Sequence, residues 1–159
     1  MLRVPKVYLE TTIFNYYFDV ERDAHADTVR LFEEIKAGKY QAFTSIYAVS
    51  EITQAPEEKR EKMTALIEDY DISILESKEE VVQLAQLYQT QGVIPPSSIV
   101  DAMHIATAAV YDLDMIISLN FRHIVRKKTV ELTALINSNQ NYGKVEIYSP
   151  MEVVDREEA

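Results

Sequence analysis

The chain has 159 residues, of which 47% are hydrophobic, and a formal net charge of −10 at pH 7. This length suits a single folded domain with one core. The acidic charge argues against a protein that grips nucleic acid by bulk charge, although a local basic patch or a metal ion could still serve. The absence of cysteine excludes disulfides and thiolate metal sites. No apolar run approaches the ~20 residues that span a bilayer.

The order of the predicted elements is regular. The N-terminus passes straight into a strand-like run, so we expect no signal peptide and a cytoplasmic protein. Strands are predicted at 6–9, 40–44, 72–75, 115–119 and 145–148, and helices at 13–18, 23–37, 45–54, 57–68, 79–89, 99–112 and 130–137. Because strands separated by helices pair in parallel, the pattern predicts a three-layer α/β/α sandwich with a mostly parallel five-stranded sheet. We expect one domain over residues 1–152 and a short acidic tail over 153–159.

Oxygen-bearing side chains gather where the predicted strands end. Glu10 follows the first strand, and Asn120 follows the fourth. Glu51 lies about two turns into the helix after the second strand, and Asp101 lies in the first turn of the helix before the fourth. Small hydroxyl groups accompany them at Thr11, Thr12, Ser45 and Ser118. Sites in open parallel sheets form at the carboxyl ends of strands, so these oxygens predict a site for Mg²⁺ or Mn²⁺ rather than zinc.

Each of these residues also has an ordinary structural interpretation. Ser98 and Asp101 have the spacing of a helix capping box. A strand-end acid, a solvated helix face and a turn residue would account for Glu10, Glu51 and Asn120. The metal site therefore depends on convergence of the four oxygens. His104, one turn after Asp101, is expected to be hydrogen-bonded within the core or the site wall rather than to be catalytic.

Four segments carry a resemblance to a known family: VYLETTIF, TSIYAVSEI, DAMHIATA and ISLNFRHI. They resemble the PIN-domain ribonucleases, specifically the toxin nucleases of VapC type, over about Lys6 to Pro150. By this resemblance the acidic-site positions are Glu10, Glu51, Asp101 and Asn120, and Ser118 occupies the hydroxyl position. Two positions depart from the family, which usually has Asp where this chain has Glu10 and often has Asp where it has Asn120.

The resemblance implies a metal-dependent endoribonuclease that hydrolyses RNA phosphodiester bonds. It implies that Glu10, Glu51 and Asp101 hold Mg²⁺ or Mn²⁺, while Asn120 and Ser118 orient water or phosphate and Thr11 supports the site. It further implies a toxin that is blocked by a cognate antitoxin and forms a homodimer. The densest basic segment is a candidate RNA-binding strip, or else a solvated helix or loop, and comprises Arg122, Arg126, Lys127 and Lys128.

Two other classes compete with the nuclease. A non-catalytic PIN-like module that binds RNA or protein would explain the departures at Glu10 and Asn120, and metal titration separates it from an enzyme. A phosphoacceptor receiver domain needs an acidic pair after the first strand and an Asp after the third. Here Glu10 stands alone and the third strand runs into Glu76, so the receiver reading is disfavoured.

Overall fold

The structure is a computed structural model that describes residues 3–155. The strands are β1 (Lys6–Leu9), β2 (Gln41–Ser45), β3 (Ser73–Leu75), β4 (Met115–Ile117) and β5 (Glu146–Tyr148). The helices are α1 (Thr11–Tyr16), α2 (His25–Lys36), α3 (Ile46–Thr53), α4 (Glu57–Asp69), α5 (Glu79–Thr90), α6 (Ile99–Val110), α7 (Lys127–Asn139) and α8 (Pro150–Val153), with a 3₁₀ turn at Pro96–Ser98 before α6.

The five strands form one sheet in the order β3-β2-β1-β4-β5. Every pair is parallel, and Tyr8 of β1 lies opposite Phe43 of β2 and Ile116 of β4. The chain therefore builds one half of the sheet outward from β1 and then returns to build the other half from β4. This confirms the predicted α/β architecture, with a sheet that is wholly parallel.

Apolar residues cover both faces of the sheet, which makes three layers. One face packs against α5, α6 and α7 through a cluster that includes Tyr8, Ile116 and Ile105. The other face packs against α1, α2 and α4 through a cluster that includes Leu9 and Phe32. Because side chains alternate along a strand, neighbouring β1 residues serve opposite layers.

Residues with positive φ follow α2, α4, α5, α6 and α7. The residues at these turns are Gly38, Asp71, Gly92, Asp112 and Asn141, all with positive φ. Aspartate and asparagine tolerate this conformation better than other residues with a Cβ, so they replace glycine at three of the five turns. The predicted helix stop at Gly38 is confirmed, and its amide donates to Ile35 O at 3.0 Å.

Four details differ from the sequence analysis. The capping-box interpretation of Ser98 and Asp101 is wrong, because the Ser98 side chain makes no capping hydrogen bond. Helix α7 begins at Lys127, earlier than residue 130, and α8 was not predicted. The region predicted as a tail starts inside α8, where Val154 is buried and the Asp155 amide donates to Glu34 Oε2 at 2.8 Å. Residues 156–159 lie outside the described residues.

Candidate metal centre

The strand order reverses between β1 and β4, and this switch point positions the candidate site. The Glu10 amide donates to Ile117 O at 3.1 Å, which extends the ladder one residue beyond β1. The Ser118 amide donates to Tyr148 O at 2.9 Å and does the same at the end of β4. Crevices at such switch points are the usual ligand sites of open α/β sheets.

Glu10 is a buried carboxylate that is held by hydroxyl groups. Its Oε1 accepts from Ser118 Oγ at 2.6 Å and from Thr12 Oγ1 at 2.5 Å. Thr12 Oγ1 in turn accepts from the Leu119 amide at 2.8 Å, so α1 is tied to the end of β4. Burial raises the pKa of Glu10, and the electrostatic interaction with His104 and the hydroxyl donors offset this rise only in part.

Glu51 reaches the same crevice from α3. Ser45 ends β2 and caps this helix by accepting from the Tyr47 amide. Glu51 Oε1 accepts from Thr11 Oγ1 at 2.6 Å and lies 2.7 Å from His104 Nε2. Burial acts to raise the pKa of Glu51, but the contacts with His104 and Thr11 together outweigh it, and the pKa is lowered. Glu51 is therefore ionised over a wider pH range than Glu10.

His104 continues the hydrogen bonding from Glu51 into the core. The ring is fully buried, and its Nδ1 lies 2.5 Å from the Tyr8 hydroxyl. The Tyr8 hydroxyl also lies 2.6 Å from Ser45 Oγ. Burial strongly raises the pKa of Tyr8, so the phenol stays protonated.

Asp101 and Asn120 meet through a histidine that the sequence prediction did not include. His123 Nδ1 lies 2.9 Å from Asp101 Oδ2, and both side chains are 18% exposed. The His123 amide donates to Asn120 Oδ1 at 3.0 Å. The amide oxygen of Asn120 is thus used within its own turn, which leaves its Nδ2 for the predicted contact with water or phosphate.

The predicted residues come together to different degrees. Glu10, Glu51 and His104 each offer a ligand atom, and these atoms lie within 4.8 Å of one another. Asp101 is not in this closest group, which was sought among residues 3–155. Glu10, Glu51 and Asp101 each have one carboxylate oxygen that contacts a side-chain donor. Within residues 3–155, no side chain donates a hydrogen bond to the second oxygen of any of them. This donor set fits a hard divalent cation.

The four basic residues have different environments. Arg122, Lys127 and Lys128 are exposed. Arg126 is half-buried, and its guanidinium donates to Val93 O at 2.9 Å and to Thr129 Oγ1 at 3.0 Å. Arg126 thus ties the start of α7 to the segment before α6, so three residues of the predicted strip present exposed charge.

Sequence reasoning missed Tyr8 and His123. A tyrosine within a buried strand needs a polar partner for its hydroxyl, and this need was the available signal for Tyr8. His123 lies 22 residues from Asp101 in sequence, so only the turn that ends near Asn120 brings them together.

A crevice of acids at the switch point of a parallel sheet is typical of metal-dependent phosphodiesterases of the α/β class. The PIN domain family model matches residues 7–128, most of the chain. The chain belongs to the PIN domain family. A comparison with curated protein sequences gives no match.

Solved structures share this fold at low sequence identity. VapC20 of Mycobacterium tuberculosis, described as a toxin that cleaves the sarcin-ricin loop, is 15% identical with a TM-score of 0.55, covering 69% of this chain and 86% of that one. A toxin–antitoxin complex from Klebsiella pneumoniae is 17% identical with a TM-score of 0.55, covering 74% and 88%. VapBC2 from Rickettsia felis, bound to a promoter DNA fragment, is 11% identical with a TM-score of 0.56, covering 91% and 98%.

The helices were also compared with the length of a membrane span. Within residues 3–155, no helix combines the length and the apolar character needed to cross a membrane.

Proposed function

We propose that the chain is a divalent-metal-dependent endoribonuclease that acts as the toxin of a toxin–antitoxin pair. Membership of the PIN family supports the enzyme class, and the toxins among its structural neighbours support the biological setting. One observation carries the proposal. Glu10, Glu51 and Asp101 each have one oxygen engaged by a side-chain donor and a second oxygen for a cation.

We assign Glu10, Glu51 and Asp101 as the residues that hold Mg²⁺ or Mn²⁺. Such an ion, when bound, lowers the pKa of water and stabilises negative charge on a phosphate. Ser118 and Thr12 hold Glu10 in place, and their hydroxyls leave its charge unneutralised. Carboxylates gathered without cationic partners repel one another, which favours the binding of a divalent ion.

The exposed basic residues support an RNA substrate despite the net charge of −10. Lys127 and Lys128 open α7, where positive charge opposes the helix dipole and costs stability. Lys127 Nζ lies 3.9 Å from Glu131 Oε1 one turn on, whereas helix formation does not explain the position of Lys128. Together with Arg122 they can follow a phosphate backbone that enters the crevice beside Asn120.

The remaining parts of the proposal concern partners and setting. We propose a cognate antitoxin that covers the crevice, a homodimer, and a cytoplasmic location. We also keep the prediction of one domain over residues 1–152. Co-purification with the product of a neighbouring gene, followed by loss of RNA cleavage in the complex, tests the antitoxin.

The enzyme is tested with Asp101→Asn, because an asparagine oxygen can still accept from His123 while the charge is lost. We expect wild type to cleave RNA with Mn²⁺ and to stop when EDTA is added. The variant should keep its melting temperature and lose cleavage. Asp71→Asn is the matched control, since Asp71 is exposed at a left-handed turn that suits asparagine. Mn²⁺-dependent cleavage retained by Asp101→Asn would overturn the assignment.

A non-catalytic binding module is the second candidate. The use of Asn120 Oδ1 by the His123 amide favours it, because the oxygen is then committed to the turn. Calorimetric titration with Mn²⁺ separates the two candidates: a module that has lost the chemistry need not bind the ion, whereas the nuclease must.

A further inference from the structure

His104 is a buried histidine whose two nitrogens both have protein partners. Nδ1 lies 2.5 Å from the Tyr8 hydroxyl, and Nε2 lies 2.7 Å from Glu51 Oε1. A ring nitrogen that donates to a carboxylate has no lone pair to offer a cation. His104 therefore belongs to the support of the site and is not one of its ligands, although it lies within the close group of possible ligands.

The hydrogen bonds around His104 have one consistent direction. Ser45 Oγ accepts from the Tyr47 amide, so its own hydrogen can be donated to Tyr8 Oη, 2.6 Å away. Tyr8 then donates to His104 Nδ1, and the ring carries its hydrogen on Nε2. That hydrogen is donated to Glu51 Oε1. The arrangement gives both ring nitrogens and both hydroxyls a partner and needs no charged ring in the core.

We propose that Tyr8 and His104 are positioning residues that hold Glu51 for cation binding. Tyr8 fixes the Nε2–H tautomer of His104, and His104 with Thr11 holds Glu51 Oε1, so that Oε2 is left for the ion. This inference rests on the proposed function for the role of Glu51. The Nε2–H donor orients the carboxylate of Glu51. Such outer partners of metal ligands commonly contribute ~10–100-fold to metal affinity.

Two substitutions at one position separate orientation from packing. Glutamine places its amide nitrogen near Nε2 and keeps a donor for Glu51, whereas asparagine reaches only the position of Nδ1. We expect His104→Asn to weaken Mn²⁺ binding by ~10–100-fold in calorimetry, and His104→Gln to stay much closer to wild type. Melting temperatures of both variants report any loss of folding. Equal Mn²⁺ affinity in both variants would overturn the proposal.

The role of Tyr8 is tested by a double-mutant cycle. Tyr8→Phe should weaken Mn²⁺ binding in the wild-type background. The same change should have little further effect on His104→Gln, because that variant has already lost the ring that Tyr8 orients. Independent, additive effects would show that Tyr8 acts through packing, which contradicts the proposal.

A measurement without metal keeps this inference separate from the proposed function. Imidazole nitrogen NMR of the wild-type protein identifies which ring nitrogen carries the hydrogen. We expect the Nε2–H tautomer for His104 in the wild-type protein. An Nδ1–H tautomer would overturn the proposed role of Tyr8 and His104 even if the protein binds Mn²⁺. Failure of wild type to bind Mn²⁺ would instead overturn the proposed function, whatever the tautomer.

Discussion

Replacing Glu10 by glutamine should stabilise the metal-free protein and abolish its response to metal. Glu10 is buried at the end of β1, and the side chains that donate to it are the hydroxyls of Ser118 and Thr12. Burial raises its pKa because the charged form is poorly solvated there. A glutamine carbonyl accepts the same two hydrogen bonds without a charge.

The pH dependence follows from the direction of this pKa shift. The native protein holds the proton of Glu10 more tightly than the unfolded chain does. The stability from that proton is complete below the unfolded pKa and is lost as pH rises through the folded pKa. The pKa of Glu51 is shifted in the opposite direction, so its contribution to stability is lost as pH falls through its folded pKa. At pH values above the folded pKa of Glu10, the free energy of unfolding of Glu10→Gln should exceed that of wild type by on the order of 1–2 kcal/mol. This corresponds to a melting temperature higher by ~2–8 °C.

Thermal unfolding with and without Mn²⁺ measures both effects. At a free ion concentration of about one hundred times Kd, an ion that binds only the native state raises the free energy of unfolding by ~2.7 kcal/mol. For a chain of this size, the melting temperature then rises by roughly 5–11 °C. Wild type should show this rise, and Glu10→Gln should not. The melting temperatures are measured from mildly acidic to neutral pH. The loss of stability that ionisation of Glu10 causes in wild type as pH rises should be absent in Glu10→Gln.

Glu34→Gln is the matched control, because Glu34 is equally buried but has cationic partners. Arg30 Nε and Lys39 Nζ lie 3.3 Å and 3.2 Å from its carboxylate oxygens. Removing that charge should destabilise the fold and leave the Mn²⁺ response unchanged. If metal-free Glu10→Gln melts as far below wild type as Glu34→Gln does, Glu10 is not a destabilising charge and the reasoning fails. A retained Mn²⁺ response would refute its role in holding the ion.

Two further predictions concern the basic strip and the hydroxyl beside Glu10. Reversing charge with Lys127→Glu and Lys128→Glu should weaken RNA binding and flatten its salt dependence. The helix dipole favours an acid at these positions by ~0.3–1 kcal/mol per residue, and at residue 127 repulsion from Glu131 opposes this gain. Unchanged binding in fluorescence anisotropy rejects the strip. Ser118→Ala removes the donor to Glu10 Oε1 and the acceptor of the Asn120 amide. It should lower the free energy of unfolding by ~1–3 kcal/mol and weaken Mn²⁺ binding, whereas exposed Ser97→Ala should change neither.

The strand-end rule explains why much of the site was predictable. Glu10 and Ser118 directly follow strands, and parallel strands deliver their carboxyl ends to one edge, so sequence position alone predicts their meeting. The capping-box interpretation of Ser98 and Asp101 was wrong for the complementary reason. A capping box is a local pattern, whereas the bond that forms joins Asp101 to His123 across the fold. Local patterns carry no information about which turn will lie beside a helix.

The choice of donors distinguishes the crevice from the rest of the molecule. Elsewhere Glu34 pairs with Arg30, and Asp114 pairs with Arg3. At the switch point the partners of the acids are hydroxyls and imidazoles. A lysine or arginine there would stabilise the fold more, but it would also neutralise the charge that attracts a divalent ion. The metal-free protein is therefore less stable than it would be with a cationic side chain at this edge of the sheet. Binding of a divalent ion should restore that stability.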